Sequence, residues 1–79
     1  MIRKATLMTK PYYTLITYNL ERDRWYPEFG DYDKSVVQDE LHDMNQGYQG
    51  IPKRHLKIIK TDSDDQKTIN TVIRQFNYR

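Results

Sequence analysis

The sequence predicts an α+β fold of order ββαβα, a two-layer arrangement in which a three-stranded antiparallel sheet, ordered 2-1-3, carries two helices on one face. Three observations lead there. Residues 12–29 alternate β-branched and aromatic residues around a polar turn; residues 32–46 and 61–76 carry apolar stripes at helical spacing; and a short apolar run, His55–Thr61, lies between those helices.

The first strand is Tyr12–Tyr18, where Tyr12, Thr14, Ile16 and Tyr18 alternate with Tyr13, Leu15 and Thr17. Asn19–Asp23 is a polar turn. Arg24–Phe29 resumes the extended pattern, with Trp25, Pro27 and Phe29 on one parity, and Pro27 marks it as an edge strand because proline has no N–H to donate. Gly30 ends it, and Asp31 or Asp33 supplies a helix cap. The first helix, Tyr32–Gln46, carries Val37, Leu41, Met44 and Tyr48 on one stripe, with Gly47 at its C-terminal end. The third strand places Leu56 and Ile58 on one face and His55, Lys57 and Ile59 on the other. Thr61-Asp62-Ser63-Asp64 then offers capping oxygens, with Ser63 and Gln66 at capping-box spacing, and Ile69, Val72, Ile73 and Phe76 form the buried stripe of the second helix. A hairpin followed by a right-handed helical crossover makes the first strand central. Leu15 is expected beneath the helices with Trp25, Phe29 and Ile58, leaving Tyr12, Ile16 and Tyr18 on an open face.

Seventy-nine residues form one domain, read as 11–77, preceded by a flexible basic arm at 1–10. Without cysteine there is no disulfide or thiolate metal cage to staple so small a core. No apolar run resembles a signal peptide or a membrane span, which points to a cytoplasmic protein. The net charge of +2 is modest, but its distribution alternates. Arg3, Lys4 and Lys10 stand without an acid among residues 1–10; residues 31–46 are acidic; Lys53, Arg54, Lys57 and Lys60 follow; and Asp62, Asp64 and Asp65 close the pattern.

The run Phe29-Gly30-Asp31-Tyr32-Asp33-Lys34-Ser35-Val36-Val37, followed by His55-Leu56-Lys57-Ile58-Ile59-Lys60-Thr61 and an amphipathic C-terminal helix, resembles small uncharacterised proteins of bacteriophage and other mobile-element genomes. The resemblance spans residues 12–77. It implies a source and a size class, and carries over neither activity nor site.

Candidate chemistry is sparse. The two histidines, His42 and His55, lack metal-ligand spacing, and a zinc site would have to add carboxylates such as Asp39 or Asp43. Asp62, Asp64 and Asp65 lack the loop spacing of a calcium hand and read as helix caps, as do Asp31 and Asp33. No nucleophile elbow or phosphate loop is present, so the expected protein is not an enzyme and takes no metal or cofactor. Binding surfaces remain. Eight of the ten aromatic residues fall between Tyr12 and Tyr48, and Tyr12, Ile16, Tyr18 and Tyr26 are the expected contact face for a host or viral protein or for a second copy of the chain. The alternative is nucleic acid, with tyrosines stacking on bases while Arg3, Lys4, Lys10, Lys53, Arg54, His55, Lys57 and Lys60 meet phosphates.

Overall fold

A computed structural model describes residues 10–47 and 50–78. The chain forms β1 (Tyr12–Asn19), β2 (Arg24–Asp31), α1 (Lys34–Gln46), one turn of 3-10 helix at Lys53–His55, β3 (Leu56–Thr61) and α2 (Gln66–Asn77). β1 is central and antiparallel to both neighbours, giving the expected order β2-β1-β3. Arg3, Lys4 and the remainder of the expected arm up to residue 9, together with Tyr48, lie outside the described residues.

The helices do not share a face. Leu15 and Ile16 are consecutive in β1, and both have 0% of their surface exposed. Adjacent strand residues point to opposite sides of the sheet, so each must have its own cover. Leu15 packs with Val37 and Leu56, flanked by Leu41 and Met44 of α1. Ile16 packs with Ile59 and with Ile69 and Ile73 of α2. The sheet is therefore sandwiched, and the face expected to stay open, that of Tyr12, Ile16 and Tyr18, is the one α2 covers, with Ile16 at the floor of its core. A central strand apolar at both parities is the sequence mark of burial on both faces.

β2 departs from its expected parity for a local reason. Leu15 pairs with Phe29 and Ile16 with Pro27, so Glu28 is an extra residue in β2 and the register shifts there. Trp25 thus joins the α2 core and Phe29 the α1 core, although strict alternation puts them on one side. The face of Gly30 is occupied by Tyr12: a Cβ at residue 30 would fall on the tyrosine ring and hydroxyl. That ring meets Tyr32 edge-on, with centroids 4.9 Å apart.

The helix starts are capped by aspartates. Asp33 accepts from the Ser35 N–H at 2.9 Å and from the Ser35 hydroxyl at 2.7 Å, so α1 begins at Lys34 rather than Tyr32. Asp31 accepts from the Asp33 N–H at 2.8 Å, bracing the turn that leads into that cap. At α2 the expected Ser63–Gln66 capping box is not formed, because Ser63 accepts from Asp65 N–H at 3.2 Å and Asp65 itself caps Thr68. After α1 the reversal falls at Gly50, whose φ of +58° suits glycine, and not at Gly47, which is extended. Asn45 donates to the Ile51 carbonyl at 2.8 Å and fixes the approach to the 3-10 turn.

Three outcomes follow from this packing and capping. Ile16→Ala will lose about 2–5 kcal/mol, comparable to the roughly 3–5 kcal/mol a core of this size supplies, and a urea melt will show a largely unfolded protein. Tyr26→Ser, at a side chain 37% exposed on the other face, will stay within about 0.5 kcal/mol of wild type in the same melt. The third outcome concerns pH. The Ser35 hydroxyl and N–H on Asp33 hold its carboxyl below the usual range, so its contribution to stability is present above the unfolded value and lost as pH falls through the folded one. Any advantage of wild type over Asp33→Asn in thermal melts will therefore shrink between about pH 5 and pH 2. A gap that widens on acidification excludes this role for Asp33.

Candidate functional site

The hairpin turn at residues 20–23 and the 3-10 turn lie at the same end of the sheet, where β1 finishes and β3 begins. Asn19 accepts from the Arg22 N–H at 3.0 Å, and the turn closes through Asp23 in the left-handed region at φ 55°. Tyr18, the last inward residue of β1 on the α2 side, donates its hydroxyl to the Asp23 carboxylate. Its ring lies 5.5 Å from Trp25, its cross-strand partner, and 5.4 Å from His55.

α2 completes the site from below. The Asn77 side chain accepts from the Trp25 N–H at 2.7 Å and donates to the Trp25 carbonyl at 3.4 Å, so one amide satisfies both outward backbone groups of an edge-strand residue. Phe76 lies 6.2 Å from Trp25, and the Lys57 ammonium stands 5.9 Å from the Trp25 ring centre and 5.5 Å from that of Phe76. The result is an open concavity of about 420 Å³ lined by Tyr18, Trp25, Phe76 and His55, together with Asp23 and Arg54. Lys57 and the exposed Lys53 stand next to it in the chain.

The expected contact residues are dispersed. Ile16 is fully buried beneath α2 and cannot touch a partner. Tyr12 is half-buried against the same core, Tyr18 belongs to the concavity, and Tyr26 pairs with Thr17 on the α1 face. No continuous platform of Tyr12, Ile16, Tyr18 and Tyr26 therefore exists.

The basic residues divide in two. Lys53, Arg54, His55 and Lys57 gather at the hairpin end. Lys60 pairs with Tyr13 on the α1 face, where Lys34 stands 6.0 Å over the Tyr13 ring, and Lys10 precedes β1 at the far end. His55 is the meeting point of the two residue sets, since it touches Tyr18 and follows Arg54.

The acidic clusters have local work. The Asp64 carboxylate near the Tyr32 hydroxyl holds that phenol above its usual range. Asp33 and Asp65 cap helices. Among the described residues no three histidine or carboxylate side chains converge as metal ligands.

Sequence reasoning missed Trp25, Asp23, Phe76 and Asn77 as members of this site. Trp25 was traceable, because hairpin pairing sets it across from Tyr18 once the turn length is known. Asn77 had no signal, since a polar residue ending an amphipathic helix reads as a solvated tail. No known protein family matches the sequence, and no curated protein or solved structure matches it either.

Proposed function

We propose that the chain is a small, non-catalytic binding protein that takes single-stranded nucleic acid at the hairpin end of the sheet. One observation carries this reading: the Tyr18, Trp25 and His55 rings share an open concavity with Arg54, the Lys57 ammonium stands over the Trp25 ring, and the exposed Lys53 precedes Arg54 in the chain. Aromatic faces beside cations are what single strands require, since any base can stack and any phosphate can be neutralised. A volume of about 420 Å³ suits one or two nucleotides and not a long tract. The expected affinity is modest, because Lys53, Arg54 and Lys57 offer three phosphate contacts at most.

Trp25 is the only tryptophan, so its fluorescence reports the site directly. Titration with a short mixed-sequence DNA strand will change the emission, with a log–log salt slope of about −2 for three released counterions. Raising salt from about 50 to 200 mM will then weaken binding roughly 20-fold. Arg54→Ala, at an exposed position, will weaken binding and reduce the slope by about 0.7. No spectral change and no mobility shift at about 20 mM salt would sink the reading.

The exposed apolar side chains favour a second reading, contact with a host or viral protein or with a second copy of the chain. Leu20 is 71% exposed and, with Tyr26, Met44 and Ile51, lines a groove of about 590 Å³ at the same end of the sheet. Light scattering across concentration tests self-association, which Leu20→Ser will abolish if this groove mediates it. No helix among the described residues is long and apolar enough to cross a membrane. A cytoplasmic location and a phage or mobile-element source are part of the same proposal, the latter on the resemblance alone.

A further inference from the structure

Among the described residues that line the concavity, Asp23 is the one acid, and it shares the lining with the Arg54 cation. Resting on the nucleic-acid reading above, we infer that Asp23 selects the base: it favours bases carrying an exocyclic amino group, guanine, cytosine and adenine, over thymine and uracil.

The turn alone does not account for the acid. Asp23 sits at φ 55°, a conformation that asparagine tolerates at least as well, and an asparagine oxygen would also accept from the Tyr18 hydroxyl. The backbone and the tyrosine therefore require an oxygen and not a negative charge. What the charge adds is available to the concavity that Asp23 lines. One carboxylate oxygen takes the Tyr18 hydroxyl, and the pair of oxygens still holds acceptor capacity for roughly three further bonds. The carboxylate is held in place by that bond and by a turn that Asn19 braces through the Arg22 N–H.

A fixed carboxylate discriminates among base edges by their donors. Guanine presents two adjacent N–H donors on its Watson–Crick edge, and cytosine and adenine each present an amino group. Thymine and uracil offer a single ring N–H between two carbonyl oxygens, which a carboxylate repels. The same charge orients the strand. A phosphate avoids the Asp23 carboxylate and lies towards Arg54, so the base is turned with its edge facing Asp23. Attraction for one set of edges and repulsion of the other act together.

The test compares short oligodeoxycytidylate with oligothymidylate by Trp25 fluorescence at low salt, using wild type, Asp23→Asn and Tyr18→Phe. Wild type should bind the cytidylate about 10-fold more tightly, the discrimination expected of one good charged contact to a base edge. Asp23→Asn should bring the two within about 2-fold, chiefly by improving thymidylate binding as the repulsion disappears. Tyr18→Phe keeps the ring and removes the hydroxyl that orients the carboxylate, so it should narrow the preference without abolishing binding. Equal binding of both oligonucleotides by wild type, or an undiminished preference in Asp23→Asn, overturns the role of Asp23 while the site itself stands. Failure of wild type to bind either one overturns the nucleic-acid reading beneath it.

Discussion

Strand β1 sets Leu15 against one helix and Ile16 against the other, and neither side chain reaches water. Most of the structure depends on that double burial. A central strand covered on both sides has no face left for a partner, so the surfaces open to ligands are the ends of the sheet and its edges. It also explains how so short a chain, which has no cysteine, holds together without a disulfide. Two small cores, each built on one parity of the same strand, share a single backbone, and disruption of either removes a cover from β1.

The extra residue in β2 makes the two cores compatible with one sequence. Trp25 and Phe29 are four apart and would face the same way in a regular strand. Glu28, inserted opposite the Leu15/Ile16 step, sends Trp25 to α2 and Phe29 to α1. It lets each core take one large aromatic ring from the edge strand. It also leaves Trp25 at the hairpin end on the same side as Tyr18, where the concavity forms.

The element order, the strand order and the central place of β1 were all legible, because alternation and helical spacing are local patterns and crossover handedness is nearly invariant. The side chosen by each helix was not. Parity names two sets of residues in β1 but does not say whether one set or both are covered, and the four-residue link from Thr61 to α2 permits either side. The bulge was equally silent, since Glu28 looks like any exposed strand residue. At the site, the basic half was visible as Lys53-Arg54-His55 and the aromatic half as Tyr18, yet their meeting depends on hairpin register and on where the 3-10 turn ends. These are pairing facts, fixed by tertiary contact.

Asn77 ties the stability of the fold to the shape of the site. Edge strands expose unpaired N–H and C=O groups that invite foreign pairing, and β2 is protected at Pro27 by the missing N–H and at Trp25 by the Asn77 amide. That amide is the last residue of α2, so the helix end is fixed to the strand by hydrogen bonds at the point where Phe76 and Lys57 meet the indole. Fraying of the final helical turn would free the Trp25 backbone, withdraw Phe76 and widen the concavity in one step. Edge protection and site geometry therefore rest on the same contact, and a ligand that wedges against Trp25 works against the packing of α2. The protein can afford only a shallow site here, because a deeper one would have to open the Ile16 core.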